Sequence, residues 1–130
     1  MKKWLAIMFL VSPLILGAQG FERQQYNSEG NVVAVYTGMD YDNFDFVKFH
    51  DNGKKMSTGA YVEGKKHGTW KTWNESGQLV AKAKYKHGEK SGKWMIYDES
   101  EKNVFHIRFG DNSVKEATRI DQKGKIIARR

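Results

Sequence analysis

YVEGKKHGTWKTWNESGQ, residues 61–78, and YKHGEKSGKWMIYDESEK, residues 85–102, are two versions of one pattern. Laid over one another, Tyr61 meets Tyr85, Gly64 meets Gly88, Gly68 meets Gly92, Trp70 meets Trp94 and Trp73 meets Tyr97, at a step of 24 residues. One unit earlier, FVKFHDNGKK puts Phe46, Phe49 and Gly53 where the first copy has Trp70, Trp73 and Gly77. The loop that closes the pattern recurs most widely, as YNSEGNVV from Tyr26, FHDNGKKM from Phe49, WNESGQLV from Trp73, YDESEKNV from Tyr97 and IDQKGKII from Ile120. The spacings are 23, 24, 24 and 23. So constant a step marks a stacked architecture, in which each unit completes its core only against its neighbours.

Each unit reads as a β-hairpin. Asn or Asp opens four of the five loops and can bond nearby backbone, while Gly30, Gly53, Gly77 and Gly124 supply a positive φ. The flanking runs alternate with period two: Leu79, Ala81, Ala83 and Tyr85 against Val80, Lys82 and Lys84, then Phe105, Ile107 and Phe109 against Val104, His106 and Arg108. A second reversal is expected within the glycine brackets GKKHG and GEKSG, with their Lys, His, Glu and Ser facing water. Trp70 and Trp73 are three apart, so a regular strand points them to opposite faces unless a bulge intervenes. Towards both ends the pattern degrades, as capping units require: Glu101 replaces the loop glycine, and Asn112 and Glu116 stand where the bracket glycines belong.

The chain opens MKKWLAIMFLVSPLILGAQG, with a basic start at Lys2 and Lys3, an apolar run over residues 4–16 and a small-residue exit at Gly17 and Ala18. That order predicts a secretory signal peptide over residues 1–18, cleaved after Ala18. A single domain of 112 residues, 19–130, is expected to follow. Removal of the leader lowers the formal charge from +7 to +5, and the excess concentrates in residues 48–93, where eleven lysines face four acids. There is no cysteine, which excludes disulfides, thiol chemistry, Cys-based zinc sites and a lipidated amino terminus. Burial of aromatic side chains and hydrogen-bonded sheet must hold the fold together.

The glycine-bracketed turns followed by aromatic strands resemble the MORN repeat, and more closely its bacterial variant in small proteins of the YwqK antitoxin-like group. The resemblance covers residues 46–104. It implies an all-β fold, an elongated, twisted antiparallel meander of hairpins, and an interaction or scaffold role without catalytic residues.

No residue pattern supports an enzyme. His67 and His87 both lie at hairpin turns, but His67 matches Ser91 and His87 matches Glu63, so neither recurs at an equivalent position, and nothing in the spacing forces them to converge with His50 on a metal. MDYDNFDF carries Asp40, Asp42 and Asp45 but fails a calcium-loop template, with Phe44, Asp45 and Asp51 where a ligand, glycine and Glu are required. The serines lack a nucleophile-elbow context. No cofactor is expected. The expected function is that of an exported, non-enzymatic interaction or scaffold module at the cell envelope, whether periplasmic, surface-associated or secreted, engaging an envelope or extracellular protein. The alternative is peripheral attachment to anionic lipid or polysaccharide, since lysines beside aromatics suit polyanions; no specific nucleic-acid partner is expected. The candidate surface comprises Lys65, Lys66, His67, Lys71, Trp73, Lys86, His87, Lys90, Lys93 and Tyr97.

Overall fold

The structure, a computed structural model, describes residues 20–100 and 102–130. The leader expected over residues 1–18 lies outside the described residues, as does Gln19. Eleven strands form one antiparallel sheet: β1 (Phe21–Tyr26), β2 (Val32–Gly38), β3 (Phe44–Phe49), β4 (Lys55–Val62), β5 (Lys65–Trp73), β6 (Leu79–Lys86), β7 (Glu89–Lys90), β8 (Gly92–Asp98), β9 (Asn103–Gly110), β10 (Ser113–Ile120) and β11 (Ile126–Arg129). Each strand pairs with the next, with β7 and β8 both against β6, so the sheet is an open meander. The expected all-β hairpin meander is what forms.

At one edge of the sheet four of the five recurrent loops are built alike. After Tyr26, Phe49, Trp73 and Ile120, the next residue exchanges two backbone bonds: its N–H reaches the carbonyl four residues on, and its own carbonyl accepts from the loop glycine three residues on. Those glycines have φ of 79° to 89°, where a side chain would strain the backbone. Asn27, Asn74 and Asp121 lend Oδ1 to loop N–H groups, and where His50 replaces the Asx residue, Asn52 Oδ1 takes over for Lys54. In these four copies the strand register slips just before the loop; at Tyr97, whose loop lacks the glycine, it does not. The slip at Thr72 and Trp73 places the extra residue, Val80, on β6, so no bulge intervenes on β5 between Trp70 and Trp73 there.

At the opposite edge the reversals differ from expectation. The β4–β5 turn is Glu63 and Gly64, with φ of 52° and 71°, and the β6–β7 turn is His87 and Gly88, with φ of 48° and 85°. Positive φ at both central residues is the two-residue type I′ geometry, which matches the twist of the flanking strands. The Lys-Lys-His segment therefore starts strand β5 and is not a loop. Its second glycine, Gly68 (φ 71°), lies where β5 carries two residues more than β4 between the pairs Ala60–His67 and Thr58–Lys71. Gly92 (φ 62°) marks the same two-residue excess between Tyr85–Lys90 and Lys82–Met95.

One layer of sheet leaves little interior. Only Ala34, Trp70, Asn103 and Thr118 are buried among the described residues. Ring contacts provide the continuity instead. Phe21, Tyr36, Phe44, Phe46, Tyr61, Trp70, Tyr85, Trp94 and Phe109 share one face by register and touch in an unbroken row ending on Tyr41, with centroids 4.8 to 6.5 Å apart. These separations suit aromatic pairs, each adding about 0.5–1.5 kcal/mol beyond area burial. The indole N–H of Trp70 reaches back to the Ala60 carbonyl at 3.3 Å, and that of Trp94 to the Lys84 carbonyl, one period on, at 2.9 Å. Each long reach spans a two-residue excess and holds it.

Candidate functional surface

Alternation assigns every strand residue to the ring face or its opposite, and cross-strand partners share a face. Among the ten candidate residues, Lys66 and Lys90 stand on the ring face. The Lys66 ammonium lies 4.4 Å from the Trp70 ring centre and 5.2 Å from that of Tyr85. Lys90 repeats this over Trp94 at 5.4 Å and Phe109 at 5.3 Å. Both cations are thus engaged with the quadrupoles of the rings they cover. Burial raises the phenol pKa of Tyr61, with a smaller contribution from Tyr36, and burial alone raises that of Tyr85.

Lys65, His67, Lys86 and His87 gather at the type I′ turns. The imidazoles of His67 and His87 are 4.8 Å apart, and His67 Nδ1 accepts the backbone N–H of His87 at 3.2 Å. This bond requires an unprotonated Nδ1. The turns also bond to one another: Gly64 N–H donates to the Asp42 carbonyl and Gly88 N–H to the Lys66 carbonyl. Trp73 ends β5 and Tyr97 is the penultimate residue of β8 at the opposite edge, both half-buried, with the Trp73 carbonyl 2.8 Å from His50 Nε2. The three histidines do not converge, and no group of three metal-binding side chains occurs among the described residues. Asp40 bonds within its own loop: its Oδ1 accepts the N–H groups of Asp42 and Asn43, and those bonds, with the Asn43 side chain, lower its pKa.

Lys71 and Lys93 stand on the face away from the rings, and the strand register surrounds them with cations absent from the sequence-based set. One row of paired residues crosses the whole sheet: Gln24, Val35, Val47, Thr58, Lys71, Lys82, Met95, His106, Thr118 and Arg129. In it Lys71 is directly opposite Lys82. Two residues further along the strands, Lys84 lies next to Lys82, and Lys93 is directly opposite Arg108. All five are exposed. Arg108 pairs with Glu116 at 2.8 Å, and Arg129 approaches the same carboxylate at 3.7 Å. Lys71, Lys82, Lys84 and Lys93 have no ion pair among the described residues. The ten candidates therefore divide between two faces and two edges. The alternation of Lys82 and Lys84 was visible in the sequence, but their neighbours depend on register.

Against known families, residues 66–87 match the MORN repeat variant model. The matched segment runs from Lys66 through the rest of β5 and all of β6 to His87, so it contains one hairpin of the ring row and both halves of the Lys71–Lys82 pair. No curated protein matches the chain.

Proposed function

We propose that this chain is an exported, non-enzymatic MORN-type repeat protein that serves as an interaction or scaffold module at the cell envelope. The observation that carries this reading is the division of labour between the faces: the ring row links nine strand residues on one face, leaving the other free in composition. The reading extends the repeat beyond the matched hairpin to residues 46–104 and groups the chain with the small YwqK antitoxin-like proteins. No reaction is assigned to it. Crosslinking mass spectrometry in the native host tests it, with specific crosslinks from sheet lysines to an envelope component as the expected result. A processed chain beginning at Gln19 is expected in the same material. Retention in the cytoplasm, or no specific crosslink, refutes the proposal.

A second reading, attachment to an anionic lipid or polysaccharide, is favoured by Lys71 opposite Lys82 and Lys93 opposite Arg108. Like charges directly opposite on a sheet are destabilising. An anionic ligand would convert that cost into attraction, and its binding would weaken as salt screens the charges.

A further inference from the structure

We infer that Lys71, Lys82, Lys84 and Lys93 form a binding track for a linear acidic polysaccharide, on the face away from the aromatic rings. The inference rests on the second reading above, within the interaction-module role, and adds the face and the choice of polysaccharide over lipid. The four lysines come from β5, β6 and β8, adjacent in the sheet, with backbone positions spaced about 5 Å between strands and about 7 Å along one. No carboxylate neutralises them among the described residues, and Glu116, which answers Arg108 and Arg129, closes one side of the track. Thr58, directly opposite Lys71, and Thr69, directly opposite Lys84, place hydroxyl groups on the same face as the lysines. Charges interspersed with hydroxyls suit a polymer that carries both carboxylates or sulfates and sugar hydroxyls.

The placement of the rings distinguishes this ligand from other polyanions. Peripheral membrane attachment combines cations with apolar side chains that enter the interface. Single-stranded nucleic acid needs aromatic platforms beside the cations. Here the ring row and the unpaired lysines occupy opposite faces, and on the lysine face the nearest apolar and aromatic side chains, Met95 opposite Lys82 and Trp73 two residues from Lys71, are half-buried and not a protruding platform. Neighbouring strands in a sheet also rotate by about 20–25°, so Lys71 and Lys93, two strands apart, are turned by about 40–50°. A flat bilayer meets such a surface in part, whereas a flexible chain follows it.

The chain as its host processes it is titrated with polygalacturonate and with dextran sulfate, beside neutral dextran, vesicles of phosphatidylcholine and phosphatidylglycerol, and a single-stranded oligonucleotide. Saturable binding to at least one acidic polysaccharide, tighter than to vesicles or oligonucleotide, is expected. It should fall about tenfold or more as salt shortens the screening length below the charge spacing. The triple variant Lys71→Gln, Lys82→Gln, Lys93→Gln should lose about tenfold or more in affinity, while Lys66→Gln with Lys90→Gln, on the ring face, should change it less than about twofold. Circular dichroism checks both folds, and Lys82→Gln alone, with a smaller loss, serves if the triple variant is unfolded. Tighter binding to vesicles or oligonucleotide, equal loss in the two multiple variants, or salt-indifferent binding overturns the track while leaving the module reading in place. Binding to no probe, with a specific envelope crosslink still recovered, also overturns only the track. Binding to no probe and no crosslink overturns both.

Discussion

Substitution of Gly59 by Ala would place a methyl carbon where the Trp70 indole lies. A Cβ built at Gly59 falls 2.1 Å from Trp70 Cδ2, 2.2 Å from Cε2 and 2.6 Å from Cγ. The indole must lift by more than an ångström, yet it is 6% exposed and packs against Phe46, Tyr61 and Tyr85. Overpacking of this kind costs about 1–3 kcal/mol, a substantial part of the roughly 5–15 kcal/mol that holds a domain together. The midpoint of thermal unfolding should fall by about 5–15 °C. The second copy shows where the strain would lead: Ala83 occupies the position one period on, and Trp94, above it in the repeat, is half-buried where Trp70 is buried. Trp70→Ala alone should cost about 3–5 kcal/mol. In that background Gly59→Ala should change sign and stabilise by about 0.4–1 kcal/mol, because Gly59 does not have a positive φ and the clash has gone. Urea unfolding of the four proteins, followed by circular dichroism, measures the cycle. Equal destabilisation by Gly59→Ala with and without the indole, or none in the parent, would refute the packing assigned to Trp70.

Glu63 holds φ 52° in a type I′ turn whose second residue is already glycine, so Glu63→Asn should stabilise by about 0.5–1 kcal/mol in urea unfolding. Gly77 holds φ 89° with only the Lys54 stem near its missing Cβ, so Gly77→Ala should cost about 1–2 kcal/mol from backbone strain alone, read in the same assay. Tyr61 and Tyr85 have phenol pKa values raised above 10.0, chiefly by burial. The unfolded chain therefore releases those protons first: their contribution to stability is complete below the unfolded value and is lost as pH rises from there through the higher folded values. Thermal scans across the alkaline range should show this loss in the parent and a flatter limb in Tyr61→Phe with Tyr85→Phe.

Much of the fold was legible because its signals are local. The loop residues, the glycines of positive φ and the period-two alternation each act within a few residues, and their repetition at 23 or 24 positions announced the meander. The candidate residues were legible only as types, lysines and rings, which lie on strands of the sheet. Their grouping was not, because the glycine bracket placed Lys66 in a turn, whereas it lies on β5 over the rings, and because the cross-strand partners of Lys71 and Lys93 depend on register.

Sequence by itself determined the repeat, the hairpins and the alternation, since these follow from backbone preference and side-chain period. Tertiary structure alone decided what Gly68 and Gly92 do. A glycine of positive φ serves a turn or a bulge equally well, and the choice rests on indole reaches across strands, from Trp70 to the Ala60 carbonyl and from Trp94 to the Lys84 carbonyl. That choice moves the pairing by two residues, so that Lys82 faces Met95 where the register of the His87 turn would have set it against Lys93. Period two put each cation of the lysine track on its face, the hairpin after Trp73 set Lys71 against Lys82, and the bulge at Gly92 moved Lys93 two residues along from Lys82.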